Sequence, residues 1–394
     1  MFFDDLLLQK LKTYFGYDGF RAGQEEIIRA ILQGENVLAV LPTGGGKSIC
    51  YQLPALILPG VTIVVSPLVS LMKDQVETLQ NNNIGAEHLD STMSYIAQNA
   101  VYDKLLNGEC KLLYVSPERL QNPGFQAFAQ KLSIAMVAVD EAHCVSQWGP
   151  SFRQEYYEIP KFIRMLQHRP VVAAFTATAT PQVRQDILQH LDVARAKVFV
   201  HGFDRPNLHF SVQKVGDKDL AVLQFLAKHR TEKGIIYCST RQQVMDLDEL
   251  LHGYGYASHR YHGGLTPLER QSNQNEFLAD RCDIMVATNA FGMGIDKPDV
   301  RYVLHYNMPL NLEGYYQEAG RAGRDGLPSE CLLLFNPLDV KICQHLISEA
   351  SQDGDVQARN LQLLKVMQEY VGLKKDYRQF ILKYFGENVC DVLL

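Results

Sequence analysis

Apolar runs of strand length alternate with polar, helix-length stretches through most of the chain. In the first half the runs are Val37 to Leu41, Thr62 to Ser66, Leu112 to Ser116, Ile134 to Asp140, Val171 to Thr176 and Lys197 to His201. Near-continuous apolar runs belong to strands covered on both faces, and their alternation with helical stretches predicts a parallel sheet with helices on either side. The rhythm breaks at Gly202-Phe203-Asp204-Arg205-Pro206-Asn207, a turn-rich stretch that suits a boundary. It restarts with Leu208 to Val212, Gly234 to Cys238, Ala257 to Tyr261, Ile284 to Ala287, Tyr302 to His305 and Cys331 to Phe335, a second α/β unit of about 140 residues. From about Leu346 the pattern is helical: Tyr377, Phe380, Ile381, Tyr384 and Phe385 form an i, i+3, i+4, i+7, i+8 stripe, which predicts a helix packed on the preceding domain. The expected fold class is α/β, with two parallel-sheet domains in tandem, 1–205 and 206–345, and a short helical tail, 346–394.

Chemistry is expected where the strands end. Thr43-Gly44-Gly45-Gly46-Lys47-Ser48 follows the first run. A strand leading through a glycine-rich turn into a helix offers backbone N–H groups and a helix N-terminus to a polyphosphate. Lys47 would reach the β- and γ-phosphates and Ser48 would ligate Mg²⁺. The pattern is a variant, because Leu41 stands where the strict phosphate loop opens with glycine. The fourth run ends in Asp140-Glu141-Ala142-His143, as a buried strand does when it delivers carboxylates to the ligand-binding edge of an open α/β sheet. There Asp140 would hold the metal through its water shell, and Glu141 would orient and deprotonate the attacking water.

Three further stretches carry candidate chemistry. Ahead of the phosphate loop lies Gly16-Tyr17-Asp18-Gly19-Phe20-Arg21-Ala22-Gly23-Gln24; the Gln24 amide can pair both the donor and the acceptor on an adenine edge. Tyr17 and Arg21 could stack on the ring, and by spacing alone they also read as packing and solvated surface. Trp148, the only tryptophan, sits in a loop with Phe152 and Arg153. Nucleobases stacking on Trp148 or Phe152 are one reading, a loop pinned by a buried indole the other. In the second half, Gly320-Arg321-Ala322-Gly323-Arg324-Asp325-Gly326 brings arginines to a glycine-rich turn. If the two domains face each other, the nucleotide lies between them and an arginine neutralises the charge that develops at the γ-phosphate.

Composition narrows the class. With 46% hydrophobic and 21% charged residues the 394-residue chain reads as globular. No apolar run is long enough for a membrane span, and the N-terminus lacks the basic start of a secretory signal, so an intracellular protein is expected. A net charge of −6 excludes a bulk basic field for nucleic acid, leaving only a local groove. The eight cysteines are scattered without metal spacing and read as reduced and mostly buried.

The chain resembles the RecQ family of DNA helicases, in helicase superfamily 2, from about Leu11 to Pro337. The segments that carry the resemblance follow family order: Phe15 to Gln24, Pro42 to Ser48, Ser66 to Gln75, Asp140 to His143, the Trp148 loop, Thr176-Ala177-Thr178-Ala179-Thr180, Phe203 to Asn207, Ala290-Phe291-Gly292-Met293-Gly294-Ile295, and Gln317 to Gly326. The resemblance implies two RecA-like domains and a 3′-to-5′ translocase on single-stranded DNA, driven by ATP and Mg²⁺, that unwinds duplex DNA in repair or recombination. It implies that Tyr17, Arg21 and Gln24 recognise adenine, that the loop from Thr43 to Ser48 binds phosphate and metal, and that Asp140 and Glu141 serve metal and water. Gln317, Arg321 and Arg324 would complete the site. His143 and the loop of Trp148, Phe152 and Arg153 look like the element coupling DNA to hydrolysis, Thr176 and Thr178 like the linkage between sites. Thr288 and the Ser66 to Ser70 stretch would touch the DNA backbone.

Longer family members continue into a helical zinc module of four cysteines and a winged helix. Here Asp376 stands at the first cysteine's place and Cys390 alone represents the others. No zinc is expected, because one thiol cannot build a structural site, and no winged helix is expected in the chain. The expectation is a monomer in the cytoplasm of a bacterium, or in a eukaryotic nucleus. The alternative is a DNA-stimulated ATPase that remodels DNA or protein–DNA complexes and unwinds weakly.

Overall fold

The computed structural model describes residues 2–90, 92–148, 152–292 and 297–387. The chain forms two compact units, divided between Gly202 and Phe203. The strands of the first are β1 (Val37–Val40), β2 (Val61–Val65), β3 (Ala86–Leu89), β4 (Leu112–Val115), β5 (Ile134–Val139), β6 (Val171–Thr176) and β7 (Lys197–Val200). All pair in parallel, in the order β3-β4-β2-β5-β6-β1-β7. Helices α1 (Phe2–Phe15), α2 (Gln24–Leu32), α3 (Lys47–Ala55), α4 (Val69–Asn81), α5 (Tyr95–Leu106), α6 (Pro123–Ala129), α7 (Glu158–Met165) and α8 (Pro181–His190) connect them. Because β1, β2, β4 and β5 lie in the middle of the sheet, every one of their side chains is buried or nearly so, which is why their sequences run apolar without alternation.

The second unit repeats the plan with β8 (Leu208–Lys214), β9 (Lys233–Tyr237), β10 (Ser258–Tyr261), β11 (Ile284–Ala287), β12 (Val300–His305) and β13 (Ser329–Phe335), in the parallel order β10-β11-β9-β12-β13-β8. Its helices are α9 (Lys218–Leu226), α10 (Arg241–Gly253), α11 (Pro267–Leu278), α12 (Leu312–Ala319), α13 (Pro337–Ala350), α14 (Gly354–Gly372) and α15 (Tyr377–Tyr384). The α/β class with tandem parallel sheets and a helical C-terminal region is the one the pattern predicts. One strand was not anticipated: β3 carries Glu87 and His88, both half-buried, between Ala86 and Leu89. As an edge strand it has no second neighbour to bury those two residues, so no apolar run marks it. Among the described residues no helix is long and apolar enough to cross a membrane.

Packing in the second sheet is tight at one glycine. Gly234 on β9 faces Tyr302 of β12 in register, and a methyl group there would overlap the buried tyrosine ring. Gly234→Ala is expected to cost about 1–3 kcal/mol by overpacking. Gly253→Ala, at a helical position with open space around it, should be neutral or stabilise by about 0.5–1 kcal/mol. Urea denaturation of the two variants checks the contrast.

Candidate active site

In a parallel sheet every strand ends on one edge, so the loops after β1 and β5 share the edge where such sheets hold ligands. After β1 the chain passes through Leu41, which is buried and whose N–H donates to the carbonyl of Thr176 at 3.0 Å. The residue at the place of the missing first glycine thus prolongs the pairing of β1 with β6. The loop then closes with Gly45 N–H on the Pro42 carbonyl at 2.9 Å, and Gly46 caps α3 in the left-handed region, φ 76°. A side chain at Gly46 would strike the Gln24 amide. Thr43, Lys47 and Ser48 are half-buried here, the last two opening α3.

Two residues ahead of the loop grip it. Gln24, buried at the start of α2, donates from Nε2 to the Gly46 carbonyl at 3.0 Å and accepts from the Arg21 N–H at 2.8 Å. Arg21 Nη1 donates to the Gly44 carbonyl. Both amide ends of Gln24 are therefore engaged within the protein, and Tyr17 lies 49% exposed beside this stretch.

At the end of β5, Asp140 is buried, and its backbone carbonyl accepts from the Tyr156 hydroxyl at 3.0 Å. Burial first, and the neighbouring carboxylate of Glu141 second, push Asp140 up to about 7, while the Lys47 ammonium pulls the other way. Glu141 takes up a left-handed backbone, φ 47°, and its N–H donates to Asp140 Oδ1 at 3.0 Å. A non-glycine residue in that region carries strain of order 1–3 kcal/mol that the surroundings must hold. Glu141 Oε2 sits 3.3 Å from His143 Nδ1. His143 is buried and meets the Thr176 hydroxyl at 2.9 Å, and that hydroxyl donates to the Thr178 carbonyl at 3.1 Å. Burial holds the imidazole below its ordinary value, and Lys47 adds to the effect. Lys47, Asp140, Glu141, His143, Thr176 and Thr178 are thus one connected group.

The aromatic loop continues from it. Trp148 N–H donates to Ser146 Oγ at 3.1 Å, and that hydroxyl donates to Asp186 on α8 at 2.6 Å. Trp148 is 38% exposed, so it does not pin the loop as a fully buried indole would; Gly149, Pro150 and Ser151 lie outside the described residues. Phe152 packs against Tyr157 at 5.6 Å. Arg153 donates from Nη1 to the Pro67 carbonyl at 2.5 Å and pairs with Glu118 at 3.5 Å, which ties this loop to the Ser66 to Ser70 stretch. Sequence reasoning passed over Tyr156, Ser146 and Asp186, since no period or motif singles them out.

In the second unit Gln317 lies half-buried on α12 and Thr288 is buried just after β11, its hydroxyl accepting from Ala290 N–H at 3.4 Å. Arg321 is buried and donates to the Gly292 carbonyl. Arg324 is half-buried two residues beyond Ala322. Met293, Gly294 and Ile295 lie outside the described residues. Arg205 and Asn207, to which the sequence assigned no chemistry, hold the arginine turn from beneath. Arg205 donates to the carbonyls of Ala322 and Gly323 at 2.9 and 2.8 Å, and Asn207 to that of Gly323 at 2.9 Å.

Comparison with known proteins gives this geometry a family. Residues 21–187 match the family model described as DEAD/DEAH box helicase, 217–326 the helicase conserved C-terminal domain, and 337–392 the RecQ zinc-binding model. The ATP-dependent DNA helicase RecQ of Bacillus subtilis is 46% identical over 385 residues, 97% of this chain and 64% of that protein. The chain belongs to the RecQ family. A second RecQ relative, the RecQ-like DNA helicase blm-1 of Caenorhabditis elegans, is 39% identical over 97% of this chain and 40% of its own length. The chain thus spans less than two thirds of these RecQ proteins. Among solved structures, the helicase Lhr of Mycobacterium smegmatis bound to single-stranded DNA and AMP-PNP aligns with a TM-score of 0.69 over 96% of this chain and 55% of that one, at 17% identity. The helicase MrfA bound to DNA aligns at 0.71 over 98% and 59%, at 20% identity. Both are similar in fold.

The raised Asp140 has a consequence for stability. Its ordinary value is near 3.8 and its folded value about 7, so between these the folded state holds a proton that the unfolded state has lost. The resulting stabilisation is complete below about 3.8 and disappears as pH rises through 7. Asp140→Asn should therefore make the nucleotide-free protein more stable than wild type at pH 8, by on the order of a few kcal/mol. The advantage should shrink as pH falls toward 4. Denaturation curves across that range measure it.

Proposed function

We propose that this RecQ-family chain is an ATP-driven DNA motor that translocates 3′ to 5′ along single-stranded DNA and unwinds duplex DNA in repair or recombination. The observation that carries the reading is the connected group of Lys47, Asp140, Glu141 and His143 at one sheet edge, in which the lysine's charge bears on both Asp140 and His143. Such a group has little use in a scaffold protein. A buried carboxylate beside a cation is what a metal–triphosphate site requires.

In this reading the α3 N-terminus and the N–H groups of Gly44 to Gly46 receive the phosphates, and Lys47 adds a point charge at the β/γ end. Tyr17, Arg21 and Gln24 lie at the adenine end. Gln24 and Arg21 also hold the loop's carbonyls, so base recognition and loop shape would be read by the same side chains. The Ser48 hydroxyl and the Asp140 carboxylate form a hard oxygen donor set that fits Mg²⁺. When bound, the ion neutralises phosphate charge and favours the ionised form of Asp140. Glu141 takes the proton of the attacking water, and its strained backbone keeps the carboxylate directed. Gln317, Arg321 and Arg324 are assigned to the transferred phosphate.

The coupling role falls to the path from His143 through Thr176 and Thr178, and to the Trp148 loop. A strand seated on Trp148 and Phe152 would shift Arg153, and with it the Pro67 carbonyl of the Ser66 to Ser70 stretch. Thr288 would touch the backbone from the second unit, since hydroxyl and main-chain N–H groups serve phosphates without basic residues. A second reading, a translocase that remodels protein–DNA complexes and unwinds weakly, is favoured by Asp376 at the place of a zinc cysteine. Strand displacement on 3′-tailed duplexes beside hydrolysis on single strands separates the two.

Lys47→Ala should lower hydrolysis by about 10²- to 10³-fold; unchanged turnover would reject the site. Trp148→Ala should reduce the stimulation of hydrolysis by single-stranded DNA while leaving the KM for ATP near its wild-type value, with a stacking loss of about 1–3 kcal/mol in DNA binding. Equal stimulation in both proteins would remove the loop from the coupling path. The same assay with RNA of identical sequence tests the choice of nucleic acid.

A further inference from the structure

The C-terminal region matched by the zinc-binding model, residues 337–392, does not carry a zinc donor set. Its cysteines are Cys343 and Cys390. Cys343 is buried on α13, its Sγ donating to the Met308 carbonyl at 3.3 Å, and burial pushes its thiol up to about 12. Cys390 lies outside the described residues. Asp376 is the N-cap of α15 in the left-handed region. Among the described residues no three His, Cys, Asp or Glu side chains stand together as metal ligands. A structural zinc is held by four ligands, mostly thiolate and imidazole, and these residues do not fit it.

Aromatic packing and one ion pair hold α15 instead. Phe385 is fully buried and stacks on Phe203 with centroids 4.3 Å apart and planes 4° from parallel. The Phe203 N–H donates to the Glu387 carboxylate at 2.6 Å, and the Phe203 carbonyl accepts from the Tyr316 hydroxyl at 2.5 Å. Arg378 forms a two-pronged pair with Asp204, Nε to Oδ1 at 2.6 Å. The contacts of Phe385, Glu387 and Arg378 named here end on residues 203 and 204, while Phe385 also packs on Tyr316 and Tyr384 donates to Glu313, both on α12. The next residues along the chain, Arg205 and Asn207, are those that hold the carbonyls of Gly320, Ala322 and Gly323. The fit there is close, since a side chain at Gly323 would overlap the Asn207 amide.

We infer that the C-terminal module of this chain is a metal-independent buttress for the arginine turn, and that Arg378, Phe385 and Glu387 are positioning residues acting on Arg321 and Arg324 through the segment 203–207. The inference rests on the roles proposed for those two arginines. A turn whose carbonyls are anchored to a five-residue strap keeps its arginines aimed only while the strap is fixed, and a misplacement near 1 Å can cost about 10²-fold in rate.

The test uses the whole chain. Metal analysis of the purified protein should find zinc far below one per molecule, and a zinc-selective chelator, with Mg²⁺ kept in excess, should leave the melting temperature and hydrolysis unchanged. One zinc per chain, or unfolding on chelation, overturns the proposal. The Arg378 side chain is 39% exposed, so Arg378→Ala leaves the core filled. It should lower kcat for DNA-stimulated hydrolysis about 10-fold with the KM for ATP within about twofold. Arg378→Lys should recover part of that loss, and Glu387→Ala should repeat the kcat effect at a separate contact. Arg324→Ala serves as the reference. If it abolishes hydrolysis while Arg378→Ala and Glu387→Ala keep the wild-type kcat, the buttress is overturned and the proposed function stands. If Arg324→Ala itself leaves hydrolysis intact, both fall.

Discussion

A carboxylate buried at the end of a buried strand is the constraint around which the first unit is organised. Asp140 leaves water at the end of a buried strand whose neighbours β2 and β6 are apolar but for Thr62 and Thr176, with a second carboxylate next to it in sequence. Burial of that kind is costly unless a cation or a proton answers it. The protein keeps one partial answer in Lys47 and leaves the rest to what binds there. The strained backbone at Glu141, the hydroxyl of Tyr156 on the Asp140 carbonyl and the histidine 3.3 Å from Glu141 are the fixed surroundings that hold this unfavourable arrangement in place. A site built so would answer the metal–triphosphate of the proposed function by changing its own protonation.

The proposed coupling uses the same layout. His143 lies two residues past Glu141, and its partner Thr176 ends the strand between β5 and β1. A change at the acidic pair therefore reaches β6 through one hydrogen bond, and reaches the Trp148 loop through the short helix that contains His143. The geometry is economical because parallel strands put their C-terminal ends side by side.

Much of this was legible in sequence. Continuous apolar runs located the central strands because these cannot afford polar faces, the alternation rhythm placed the edge strands β7, β8 and β10 beside them, and the Gly-Lys-Ser and Asp-Glu-Ala-His segments sit where those runs end. What escaped was of two kinds. The edge strand β3 has no apolar run to announce it, with Glu87 and His88 half in water. Long-range supports such as Tyr156, Asp186, Arg205 and Asn207 leave no local trace, since their partners are carbonyls and side chains distant in sequence. Gln24 shows the intermediate case: its position before the phosphate loop is visible, but its grip on the Gly46 carbonyl depends on how α2 packs against α3.

A chain with net charge −6 has no general attraction for a polyanion, and for the motor proposed that would be an advantage. Each neutralised phosphate on a single strand contributes about −0.7 to the salt slope, so a groove rich in lysine would hold the strand through both halves of a hydrolysis cycle. The contacts proposed for serine and threonine hydroxyls, for main-chain groups near Pro67 and for an aromatic face at Trp148 would be individually weak and directional. They are lost when a loop moves by a fraction of an ångström, whereas a charge contact persists over several. Tying Arg153 to the Pro67 carbonyl and to Glu118 leaves its guanidinium less suited to serve as a simple phosphate clamp. In the proposed function, grip on the strand would then depend on loop geometry, which a change at the nucleotide site can alter.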